Sequence, residues 1–142
     1  MGLEWIRHHA PERTPVNSIL AFTDSEADRS TLQDIAAERG WELSFADHSA
    51  ADGSLLARDR FAIILCDRDL PGAEWRANIE ALHQAAPDSC IMLLSSVNDE
   101  YLWNEVIRCG GYDVLTKPLR ESQVVPAITL ALLYVQQCSA TK

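Results

Sequence analysis

Four residues spread along the chain, Asp24, Asp67, Ser95 and Lys117, are of the types that together handle a phosphoryl group. Phosphoryl transfer needs a nucleophile, neutralisation of charge and positioning, and little else. A carboxylate can be the nucleophile and forms an acyl phosphate. Asp24 and Asp67 brought close together would repel each other. A divalent cation relieves that repulsion, and Mg²⁺, a hard cation that takes oxygen ligands, suits a site shared with phosphate. Lys117 offers a mobile positive charge to one phosphoryl oxygen, the Ser95 hydroxyl can donate to another, and Pro118 pins the backbone after the lysine. Taken singly, each has a plainer role. Asp24 and Ser95 would serve as helix caps, and Lys117 as a surface lysine. A carboxylate that closes a buried strand is harder to dismiss, because it must find a partner.

What must position these residues is a series of strands and helices. Ser18 to Phe22 is a short apolar run that suits a buried strand, ending at Thr23-Asp24. Glu26 to Arg39 has Leu32, Ile35 and Ala36 at helical spacing, with Gly40 as the stop. Trp41 to Phe45 alternates as a strand does, and a shorter helix is expected over Ala50 to Arg58 despite Gly53. Phe61 to Cys66 is wholly apolar, as a central parallel strand covered on both faces should be. It runs into Asp67, and Pro71-Gly72 make a turn. Helix Glu74 to Ala86, strand Cys90 to Leu94, helix Glu100 to Cys109, strand Tyr112 to Thr116 and helix Glu121 to about Gln137 follow. Pro126 falls near the first turn of that last helix, where a missing N–H costs least.

Five strands alternating with five helices predict an α/β fold with a doubly wound parallel sheet. Ligands of such sheets bind beyond the carboxyl ends of the strands. Four of the five strands end there in a group able to do chemistry, namely Asp24, Asp67, Ser95 and Lys117.

Composition narrows the field. A length of 142 residues fits one domain, read as a tail over 1–16, a folded unit over 17–138 and a short tail over 139–142. The net charge of -9 repels phosphate backbones and anionic lipids, which argues against direct nucleic-acid binding. No apolar run is long enough to span a bilayer, and the N-terminal MGLEWIRHHA lacks the apolar core of an export signal. Gly2 lacks the downstream Ser or Thr of a myristoylation signal. A cytoplasmic location is expected. Cys66, Cys90, Cys109 and Cys138 form no C-x-x-C pair and read as free thiols, the first two in or beside buried strands. His8 and His9 are adjacent and would not share a face of a regular element, so they read as part of a solvated tail.

The segments Ile19 to Asp24, Ile63 to Gly72, Ile91 to Ser96 and Gly110 to Leu119 resemble the receiver domains of two-component response regulators, the CheY-like superfamily. The likeness runs from about Asn17 to Leu133, and Asp67-x-x-x-Pro71-Gly72 and Lys117-Pro118 carry it most specifically. The resemblance implies a flavodoxin-like sheet of order 2-1-3-4-5 with five helices. It implies that Asp67 accepts a phosphoryl group from a histidine kinase or histidine phosphotransfer protein, in a phosphorelay. It implies Mg²⁺ held by Asp24, Asp67 and the backbone carbonyl of Asp69, and phosphoryl contacts from Ser95, Lys117 and the Ser96 N–H. Such a domain phosphorylates and dephosphorylates itself on Asp and is a signalling phosphoacceptor rather than a turnover enzyme.

Two positions depart from the family pattern. Thr23 stands where most receivers carry the first of two adjacent acids, so the site is short of one charge; Glu26 or Asp28 could partly compensate. Val114 stands where many members have an aromatic switch residue, which puts the usual coupling of Ser95 to an aromatic flip in question. Arg68 is expected to point into solvent. The chain ends soon after its last helix, so output is expected through protein contact or phosphate relay. The family's contact face is the fourth helix, fifth strand and fifth helix; Tyr101, Trp103, Val106, Tyr112 and Tyr134 lie there and read mainly as core packing. A homodimer is compatible with this reading, with Trp5 docked on the domain, on a second subunit, or left undocked. Two alternatives stand beside it. One is a degenerate receiver that binds partners without phosphorylation. The other is a small phosphatase of the haloacid-dehalogenase kind, whose nucleophilic Asp would however follow the first strand and not the third.

Overall fold

The computed structural model describes residues 17–46, 60–72 and 74–140. Strands and helices alternate along it: β1 (Ser18–Phe22), α1 (Glu26–Arg39), β2 (Glu42–Ala46), β3 (Ile63–Asp67), α2 (Trp75–Ala85), β4 (Cys90–Ser95), α3 (Glu100–Arg108), β5 (Asp113–Thr116) and α4 (Glu121–Ala140). The strands form one parallel sheet of order β2-β1-β3-β4-β5, as expected. The described residues contain four helices where five were expected. The remaining expected helix, Ala50 to Arg58, lies outside them, as does the tail with Trp5, His8 and His9.

Strand alternation sorts the core onto two faces. Ile19 and Ala21 of β1, Ile63 and Leu65 of β3, Met92 and Leu94 of β4 and Leu115 of β5 pack with Leu32 and Ile35 of α1 and Val124 and Ile128 of α4. Their neighbours Leu20, Phe22, Ile64, Ile91, Leu93 and Val114 pack on the other face with Trp75, Ile79 and Leu82 of α2 and Leu102 and Val106 of α3. All five residues of β1 and of β3 are buried, which is why these strands read as unbroken apolar runs. Asp67 ends β3 and by alternation follows Ile63 and Leu65 onto the face that α1 covers. Ser95 follows Ile91 and Leu93 onto the opposite face.

Local signals set the boundaries. Ser25 caps α1 by accepting the Asp28 N–H. Gly40 ends it in the left-handed conformation at φ 74° and donates its N–H to the Ala36 carbonyl, a backbone position that costs a side-chain-bearing residue more. Asp99 caps α3 through the Leu102 N–H. Pro126 is the sixth residue of α4 and so lies beyond its first turn. The bond it removes is to the Ser122 carbonyl, and both residues are exposed, so the loss falls on the solvent side of the helix.

The expected packing of the aromatic residues needs correction. Val106 is fully buried and Tyr112 partly so, but Tyr101, Trp103 and Tyr134 are 66%, 43% and 51% exposed. Each points away from the sheet because the inward positions of α3 and α4 are already filled by Leu102, Val106, Val124, Ile128 and Ala131.

Candidate functional site

Asp67 is 4% exposed at the end of the central strand β3. A carboxylate at that depth must be compensated, and the neighbouring strand ends supply its partners. The Lys117 Nζ, just past β5, donates to Asp67 Oδ2 at 2.7 Å. The Thr23 hydroxyl, just past β1, donates to the same oxygen at 3.0 Å. The Asp69 N–H donates to Oδ1 at 2.9 Å. The carboxylate is thus held by an ammonium, a hydroxyl and a main-chain donor from three separate segments.

The backbone around it is braced across strands. The Lys117 N–H donates to the Ser95 carbonyl at 2.9 Å, and the Arg68 N–H donates to the Leu94 carbonyl at 2.9 Å. These bonds extend the sheet pairing by one residue past the strand ends and fix where Lys117 and Asp67 start. The Arg29 Nε donates to the Thr23 carbonyl at 2.8 Å and its guanidinium covers the Phe45 ring, which ties the loop after β1 to α1 and β2.

A second carboxylate reaches the lysine. Asp28, in the first turn of α1, is 6% exposed, and its Oδ2 lies 3.4 Å from Lys117 Nζ. That oxygen has no hydrogen bond. Lys117 therefore sits between two buried carboxylates. Burial of the ammonium pulls its pKa down, but the hydrogen bond and charge of Asp67, with Asp28 adding to both, outweigh burial and hold it above the usual lysine value. Cys66, directly before Asp67, has its thiol pushed up to about 12, by burial first and by the Asp67 charge second. It is a protonated core residue and no competing nucleophile.

Of the residues singled out in the sequence, Asp67 and Lys117 touch directly. Asp24 is exposed in the loop directly after Thr23, at the same rim of the sheet. Ser95 is fully buried. Its Oγ accepts the Val97 N–H at 3.1 Å and meets Arg68 Nη1 at 3.5 Å. Ser96 follows it, exposed. Arg68 thus does not simply point into solvent as expected: it is half-buried and lies over Ser95, because the turn after β3 carries it toward the neighbouring end of β4. Val114 is buried on the face shared with Leu93, Leu102 and Val106, so the aromatic switch position is a packed aliphatic one. Of the two acids weighed as compensation for Thr23, Asp28 reaches the site, and Glu26 is exposed.

The model of the response regulator receiver domain matches residues 19–129. The chain belongs to that family. The receiver is 26% identical over 100 residues to the response regulator protein FleR of Pseudomonas aeruginosa, an alignment covering 70% of this chain and 21% of that one. It therefore spans about a fifth of the length of that relative. Among solved structures, it is similar to the signal receiver domain of an HD domain-containing protein from Pseudomonas fluorescens Pf-5, at 22% identity and a TM-score of 0.78 over 93% of this chain and 98% of that one. It is also similar to a CheY-like receiver domain protein from Methanospirillum hungatei JF-1, at 18% identity and a TM-score of 0.75 over 87% and 98%. At these identities the two structures speak for the fold. The receiver identity places the chain in two-component signalling. No helix among the described residues is long and apolar enough to cross a membrane.

The donor set suits a hard divalent cation. Every candidate ligand near Asp67 is an oxygen, and the buried Asp28 Oδ2 lacks a hydrogen bond. Among the described residues no three acidic, His or Cys side chains are already gathered as a cation cage.

Proposed function

We propose that this receiver accepts a phosphoryl group on Asp67 from a histidine kinase or histidine phosphotransfer protein. The observation that carries the reading is the 2.7 Å pairing of Lys117 Nζ with the buried Asp67 Oδ2 at the end of β3. The carboxylate oxygen attacks phosphorus, the bond from phosphorus to the donor imidazole breaks, and an acyl phosphate forms. Lys117 then neutralises charge on the phosphoryl oxygens, with the Ser95 hydroxyl and the Ser96 N–H as further donors. Receiver domains generally bind Mg²⁺ at their acidic pocket; Asp24, Asp67 and the Asp69 carbonyl would hold it here, and it would offset the charge on the acids and the phosphoryl group. In its present contacts the Ser95 Oγ is the acceptor, from the Val97 N–H and Arg68 Nη1, so neither of them uses the hydroxyl's own proton.

Downstream contact is assigned to the face made by α3, β5 and α4, where Tyr101, Trp103, Leu130, Leu133 and Tyr134 are exposed. The family's phosphoacceptor unit would span 17–138, work in the cytoplasm, and pair through this face with a partner protein or a second copy. Acetyl phosphate with Mg²⁺ should add one phosphoryl group in an intact-mass spectrum, and Asp67→Asn should remove the adduct. The same protein should not turn over p-nitrophenyl phosphate many times per site. No adduct on the native chain, under conditions that label an ordinary receiver, would favour a receiver that binds without phosphorylation, a reading that Thr23 and Val114 support.

A further inference from the structure

We infer that Asp28 is the relocated third acid of the cation-binding site, supplying from the first turn of α1 the charge that Thr23 does not carry at the end of β1. The inference rests on the phosphoacceptor reading and specifies which carboxylates serve it.

The sequence around Asp28 first suggests a different job. Ser25-Glu26-Ala27-Asp28 has the form of a capping box, in which the fourth residue reaches back to the N–H of the first. Half of that box is present, since Ser25 Oγ accepts the Asp28 N–H at 3.2 Å. The reciprocal bond is not made by Asp28. The Ser25 N–H donates instead to the Thr23 hydroxyl at 3.2 Å. Ser25 remains the cap, Thr23 supplies the acceptor for its N–H, and the Asp28 carboxylate turns toward Lys117.

Service to the helix dipole does not explain the rest. An acid in a first turn gains from the dipole while remaining in water, whereas Asp28 is almost fully buried. Its Oδ2 makes no hydrogen bond and has the 3.4 Å ion pair with Lys117, an ammonium that sits closer to Asp67 at 2.7 Å. Two buried carboxylates thus share one positive charge, and the burial is incompletely compensated. The remaining cost is offset if a cation uses the oxygen. The charge count agrees. Asp24, Asp28 and Asp67 against Lys117 leave two net negative charges, which one divalent cation neutralises. A receiver with adjacent acids at the strand end reaches the same balance by a different residue.

The test uses Mn²⁺ as the probe, read by electron paramagnetic resonance on the unphosphorylated chain, with Mg²⁺ as competitor. Asp28→Asn should weaken Mn²⁺ binding by roughly tenfold or more, as expected for loss of a full charge at a poorly solvated site. Thr23→Asp in the Asp28→Asn background should recover most of that loss. Circular dichroism and urea unfolding of both variants keep the comparison to folded protein. Asp28→Asn binding Mn²⁺ within twofold of the native chain, while Asp67→Asn no longer binds, overturns the role of Asp28 and leaves the phosphoacceptor reading intact. Failure of the double variant to recover, with the fold preserved, also overturns it. Failure of the phosphoacceptor reading is a separate result, the missing acetyl phosphate adduct.

Discussion

The Thr23 hydroxyl donates a 3.0 Å hydrogen bond to Asp67 Oδ2, where a second strand-end acid would have repelled that carboxylate. The substitution therefore changes the sign of the local interaction as well as the number of charges. In the state described here, Asp67 is tied down by Thr23 and Lys117 together. Under the proposed function, phosphoryl transfer through Oδ2 would have to displace one of these contacts, whereas transfer through Oδ1 would displace the Asp69 N–H.

Thr23→Val keeps the shape of the side chain and removes the hydroxyl. Asp67 loses a donor, and the Ser25 N–H loses its acceptor. The expected cost is about 1–3 kcal/mol, read as a lower urea midpoint at neutral pH with an unchanged slope.

Lys117→Met should cost more. It leaves Asp28 and Asp67, both buried, without their shared ammonium. Because the lysine is partly exposed, the loss should fall at roughly 2–4 kcal/mol, between the values for surface and fully buried pairs. Adding Asp67→Asn should return part of that stability, since one of the two uncompensated charges is then gone. A double-mutant cycle in urea measures both effects.

The same lysine sets an alkaline limit. Its folded pKa lies above the ordinary 10.5, so the folded state holds the proton more tightly than the unfolded chain. The contribution is complete below the unfolded value and is lost as pH rises past about 10.5 through the folded one. Native protein should lose stability across that window more steeply than Lys117→Met, in thermal unfolding at stepped pH.

Cys66 and Cys90 should resist thiol reagents in the folded protein. Burial, with a smaller push from the neighbouring Asp67 or Cys138, raises each thiol to about 12, so little thiolate exists near neutral pH. Brief alkylation followed by peptide mapping should leave both unmodified until denaturant is added. Early labelling of Cys66 would contradict the closed packing of β3 beneath the site.

The features legible in the sequence are those that local chemistry imposes. β3 is buried on both faces and so had to be an uninterrupted apolar run, and a carboxylate closing such a run marked Asp67 at once. α1 announced its limits through Ser25 and Gly40, whose side-chain and backbone preferences act within one turn. The Lys117-Pro118 pair and the order of elements were enough to place the lysine past the last strand. Tertiary structure decided which distant groups meet. β3 and β4 stand between β1 and β5, and Asp28 meets Lys117 because the long lysine side chain reaches back to Asp67 and the first turn of α1, and because Thr23 accepts the Ser25 N–H that Asp28 would otherwise bond. Arg68 lies over Ser95, and Tyr101, Trp103 and Tyr134 face solvent, for reasons of the same kind: the phase of a helix or turn against its neighbours. Periodicity reports which side of an element is apolar. Contacts between segments far apart in the chain depend on how the elements are stacked, and that is settled only when the whole core packs.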